Sequence, residues 1–148
     1  MPSIIPSYIY TLFASIIVGT IVISACGLST ANVKYEAEKQ QLSNIADYVA
    51  AESIKLVCRA VSENLTSTLH LDIPQLIGNE RYWIKMQNDS TKTWVEVGLG
   101  TTVLSSDQLA YIPSEVDVSG TYISGSSLAF LECHPDGSSI QLTLSGEN

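Results

Sequence analysis

The chain has 148 residues, a net charge of −8 and 45% hydrophobic content, enough for one domain and an appendage. The whole net charge lies beyond residue 62, where eleven acids face three bases, Arg81, Lys85 and Lys92. An acidic part of this kind is excluded from binding DNA, RNA or anionic lipid, each of which needs a basic face.

No Asp, Glu, Lys or Arg precedes Lys34. Residues 8–28, YIYTLFASIIVGTIVISACGL, are uncharged and mostly apolar. At ~1.5 Å per residue a helix of that length spans roughly 30 Å, the thickness of a bilayer's hydrocarbon core. A core helix of a soluble protein rarely needs apolar residues on every face. The run predicts a membrane segment or an export signal.

Cys26 sits near the end of this run, in ISAC, which fits the pattern of a lipid-attachment site. Lipidation at Cys26 would anchor the chain after loss of residues 1–25. A signal peptide is expected to open with a basic region, and MPSIIPS contains no base. The helical pattern also continues past Cys26 with no polar tether. A small residue in a continuous helix is the favoured reading.

The next stretch, NVKYEAEKQQLSNIADYVAAESIKLVCRAVS, has no Pro or Gly and is rich in helix formers. Leu42, Ile45, Ala46, Val49, Ser53, Leu56, Val57 and Ala60 recur at three-and-four spacing and form one stripe. Glu38, Gln41, Asp47, Glu52 and Lys55 take the polar side. No turn separates the two stretches, so one helix from near Tyr8 to near Ser62 is predicted.

Pro74 and Gly78 end the helical pattern. RYWIKMQ and TWVEVGL flank NDST as a hairpin. With Asp89-Ser90 as its loop, Ile84 faces Val95 and Tyr82 faces Val97. Trp83 and Trp94 then fall on the opposite face, exposed or covered by a neighbouring strand. TTVL, EVDV and TYIS are further short strand candidates. SLAFLEC and SIQLTLS flank HPDG as a last hairpin. A loop at Asp136-Gly137 pairs Cys133 with Ile140, Leu131 with Leu142 and Ala129 with Leu144, an apolar face that carries Cys133 inward.

The fold class is therefore α+β: a long N-terminal helix, half membrane and half amphipathic, packed against a small antiparallel sandwich or sheet of five to seven strands. Three parts are expected: 1–32, a membrane or filament-core helix; 33–62, its amphipathic continuation; and 63–148, an extracellular β domain. A β domain of that size buries a thin core alone, and the helix stripe needs cover.

There is no Cys-x-x-Cys pair, so a zinc site or a thioredoxin-like motif is not indicated. Docking the stripe on the last hairpin brings Cys58 and Cys133 to one side, and a disulfide between them is expected outside the cell. Closing that loop of about 75 residues is worth on the order of 4 kcal/mol in the chain-entropy model. The alternative is two buried free thiols. His70 and His134 fall in loop-like segments, and His70-Leu71-Asp72 reads as an exposed polar pair. No zinc-protease helix, nucleophile elbow or phosphate loop occurs. No catalytic residue, metal ligand or cofactor is assigned. Asn64-Leu65-Thr66 and Asn88-Asp89-Ser90 match the N-glycosylation pattern, which would put glycans on an external β domain.

EAEKQQLSNIADYVAAESIKLV, LDIPQLIGNERYWIKMQ and VSGTYISGSSLAFLE, spread between residues 36 and 132, resemble archaeal type IV pilin-like and archaellin-related proteins. The resemblance covers a helix of this kind followed by a Pro and Ile-Gly entry into a first hairpin. The basic cleavage site that precedes the apolar run in pilin precursors, and the glutamate that bacterial pilins keep near its start, are absent from this sequence. The resemblance implies a non-enzymatic structural subunit, major or minor, of a surface filament or of its assembly or secretion machinery. Its partners would be copies of itself or other pilin-like subunits, joined through the N-terminal helix, with Tyr8, Tyr10 and Phe13 at one end of the bundle. Its location would be a single-pass position in the cell membrane, or a filament, with the β domain outside. A second reading is a membrane-anchored or Cys26-lipidated module that displays the β domain for a ligand.

Overall fold

A computed structural model of the chain describes residues 4–89, 91–104, 106, 108–113, 116–125, 127–136 and 139–147. The chain divides into two compact units, Met1–Ala37 and Glu38–Asn148.

One helix, α1, runs from Ile4 to Glu63. Pro6 falls in its first turn, where a missing N–H leaves no bond unmade. Asn64 ends it with a left-handed φ of 51°, a conformation asparagine tolerates better than most residues. Within the first unit α1 is the only described element. Its large apolar side chains are exposed on all sides, from Tyr8 and Ile9 through Phe13 and Ile17 to Ile23.

The second unit holds the rest of α1 and seven strands: β1 Ser67–His70, β2 Tyr82–Asn88, β3 Thr93–Leu99, β4 Gln108–Ile112, β5 Asp117–Ile123, β6 Leu128–Asp136 and β7 Ser139–Glu147. They form one sheet in the order β1-β6-β7-β5-β2-β3-β4. The α+β class is as expected, and of the sandwich or sheet alternatives the sheet is the one formed, with one revision. The strands make one sheet, and it is mixed, because β5 and β7 run parallel. That pair is possible because of Gly120, at φ 116°, where an added Cβ would lie 2.0 Å from the Leu144 carbonyl oxygen.

Every residue of the predicted helix stripe is buried, and Ala50 joins it. The stripe shares one core with the inward face of the sheet, including Tyr82, Ile84, Val95, Val97, Leu131, Leu142 and Leu144. Ser53 is buried beside this core with its hydroxyl satisfied, donating to the Val49 carbonyl at 2.7 Å.

Both predicted hairpins form, each displaced by two residues. Ile84 faces Val97 and Met86 faces Val95. In the last hairpin Cys133 faces Leu142 and Leu131 faces Leu144. A two-residue slip keeps every side chain on its expected face, because strand side chains alternate with period two. The loop residues Ser90 and Gly137 lie outside the described residues. TTVL is not a strand. DVSGTYI forms the single strand β5, which joins parts of the EVDV and TYIS candidates; Glu115 lies outside the described residues. β1 and β4 were not anticipated, and they are the two edges of the sheet.

The segment between β1 and β2 is tied down on both sides. Ile77 and Glu80 exchange backbone hydrogen bonds of 3.0 Å around Gly78. The Tyr82 hydroxyl donates to the Pro74 carbonyl. The Glu38 carboxylate of α1 lies against Gly78, 2.8 Å from where a Cβ would stand.

Candidate functional site

The most unusual surface of the chain is the apolar part of α1. It is long and apolar enough to cross a membrane, with a mean hydropathy of 2.2 over its most apolar window. Five hydroxyls in or next to this segment find acceptors inside the helix. Thr11 donates to the Tyr8 carbonyl, Ser15 to Leu12, Thr20 to Ile16, Ser24 to Thr20 and Thr30 to Cys26, all at 2.8–2.9 Å. An unsatisfied hydroxyl costs several kcal/mol in hydrocarbon. Back-bonding of this kind removes that cost and leaves a surface compatible with lipid or with other apolar helices.

Cys26 lies within this helix and is exposed. The residues that follow it, up to Glu63, stay helical, so no flexible tether separates it from the second unit's part of α1. Gly19 and Gly27 have open space around them, and neither interrupts the helix.

The expected Cys58–Cys133 bridge is not formed. Cys133 is fully buried on the inward face of β6, whereas Cys58 is exposed, and both are free thiols. The reason is angular. Val57 belongs to the buried stripe, and the next residue along a helix turns about 100° away. Burial pushes the Cys133 thiol above its ordinary value.

The two sequons are placed differently. Asn64 is exposed at the end of α1. Asn88 is exposed at the end of β2, where its amide donates to the Asp117 carboxylate at 3.0 Å. Ser90 of that sequon lies outside the described residues.

Both histidines are on strands rather than in loops. His70 ends β1 and stands beside Phe130, with ring centres 6.3 Å apart. His134 lies in β6, with Nδ1 3.0 Å from the Thr66 hydroxyl and Nε2 3.1 Å from Glu132. This chain of contacts lies on an open surface, with Thr66 and His134 exposed and Glu132 half-buried. Among the described residues no three His, Cys, Asp or Glu side chains converge to hold a metal.

On the outward face of the sheet, Trp83 is buried, with its ring over Gly98. Trp94 is half-buried beside exposed Tyr111 on β4, a neighbour that lies outside the strand candidates of the sequence.

No protein-family model, curated protein or solved structure matches this chain.

Proposed function

We propose that the chain is a non-enzymatic structural subunit of an archaeal-type, pilin-like surface filament or of its assembly machinery. The observation that carries this reading is the continuity of α1. A helix that is apolar and exposed all round passes without a break into one whose stripe is buried under a sheet. Eleven large apolar side chains between Tyr8 and Ile23 are exposed by 47% or more. Removing them from water is worth on the order of 15–30 kcal/mol, so this surface demands a covering medium. Before assembly the lipid bilayer supplies it, with the second unit outside the cell. In a filament, neighbouring copies of the same helix replace the lipid through van der Waals packing.

Fractionation of cells that express the chain tests the reading. The chain is expected in two pools, an alkali-resistant membrane pool and a pool released by mechanical shear in sedimentable form. A chain confined to the membrane pool as dispersed monomers removes the filament claim. A chain fully released by alkali removes the membrane-spanning claim.

A further inference from the structure

The outward face of β2, β3 and β4 carries a groove of about 350 Å3, within the range of small-molecule sites. Trp94 and Tyr111 are direct cross-strand partners there, so their side chains stand side by side on one face. Leu109 extends the apolar strip. Polar groups surround it. Gln87 is paired opposite Trp94. Lys92 lies 5.7 Å from the centre of the Tyr111 ring, close enough for a cation–π contact.

Two carboxylates line the same groove, and the protein holds both in place. Asp89 accepts the backbone N–H groups of Thr91 and Lys92 at 2.7 Å and the Thr91 hydroxyl at 3.0 Å. Glu96 is 93% buried, although it is on the solvent side of the sheet, and it accepts the Ser106 N–H at 2.6 Å. A carboxylate buried and fixed on an otherwise open face is preorganised to accept hydrogen bonds.

We propose that this groove binds a neutral saccharide. A pyranose ring has an apolar C–H face, which suits the Trp94–Tyr111 pair, and a rim of hydroxyls, which suits fixed carboxylates, an amide and an ammonium. The lining holds two carboxylates and one ammonium, and Lys85 is paired opposite Glu96 on the same face, so the groove has no excess of positive charge to draw an anionic ligand such as a uronic acid or a phosphate. The five polar lining side chains against three apolar ones disfavour a purely aliphatic ligand. The proposal is independent of whether α1 builds filaments.

The test uses the full chain in a detergent without a sugar headgroup. Maltotriose, mannotriose and chitotriose are the probes, with saturation-transfer NMR and tryptophan fluorescence as readouts. Trp94 is the more exposed of the two tryptophans, so the fluorescence change reports on the groove. Saturable binding of at least one probe at millimolar concentration is expected. Tyr111→Ala should weaken it about tenfold, Glu96→Gln should weaken it several-fold, and Tyr35→Ala, which removes an exposed tyrosine of the first unit, should leave it unchanged. Circular dichroism of each variant establishes that it is folded. No saturable response up to about 20 mM overturns the proposal. So does a response that Tyr111→Ala leaves intact in a folded chain, or a stronger response to an acidic oligosaccharide or a hydrophobic peptide than to the neutral probes.

Discussion

Gly98 lies directly under the indole of Trp83, its cross-strand partner, so that an added Cβ would come within 2.6 Å of the ring. This contact lets a tryptophan on the outward face reach 2% exposure. Gly98→Ala is expected to destabilise the second unit by about 1–3 kcal/mol, the usual cost of overpacking, and to shift tryptophan emission to longer wavelength as the ring lifts into water. Urea unfolding followed by fluorescence measures both.

Gly120→Ala should be more damaging. The obstruction there is the backbone of Leu144 rather than a movable ring, and φ is in the left-handed region. The β5/β7 pairing must open or shift. A loss of more than about 3 kcal/mol is expected, seen as a lowered urea midpoint. A variant as stable as the natural chain would contradict the parallel pairing.

The cysteines give a labelling pattern. In the native chain a maleimide should modify exposed Cys58 without any reductant, while buried Cys133 resists. After denaturation, again without reductant, Cys133 should react too. Peptide mass mapping distinguishes the sites. A Cys58–Cys133 peptide pair that appears only under non-reducing conditions would contradict the arrangement described above.

Much of this architecture is legible in the residues, and the parts that are not have physical causes. The stripe from Leu42 to Ala60 is readable because helix periodicity is local. The faces of both hairpins survive a two-residue error in register, since Ile84 and Leu131 stay inward either way. β1 has only four residues, too few to show alternation against the background. The β5/β7 pairing joins residues 24 apart, such as Asp117 with Gln141, and distant pairings leave no local mark. Cys58 misled because adjacency to buried Val57 in sequence is not adjacency on a helix face. The groove residues are spread over three strands and two loops, and two of them, Leu109 and Tyr111, are on β4.

Alkaline pH should weaken the second unit. Burial raises the Tyr82 phenol above its ordinary value near 10, with a smaller effect from Tyr122, and burial raises the Cys133 thiol above its ordinary value near 9. The folded chain therefore holds these protons more tightly than the unfolded chain. Stability from this source is complete below the ordinary values and is lost as pH rises through the raised ones. Urea midpoints should be flat up to about pH 9 and fall beyond it. Tyr82→Phe should flatten the fall above about pH 10 and cost on the order of 1 kcal/mol at neutral pH through the lost bond to Pro74.

The central claim is that the apolar part of α1 is covered by copies of itself in a surface filament. Electron microscopy of sheared surface material, from cells with the chain and from cells lacking it, tests this most directly. The account predicts filaments that contain the chain, with density for bundled helices formed by residues 8–28 at their core, and loss or marked reduction of those filaments when the chain is deleted. Unchanged filaments in the deletion strain, with the chain present only as single molecules in the membrane, would contradict it.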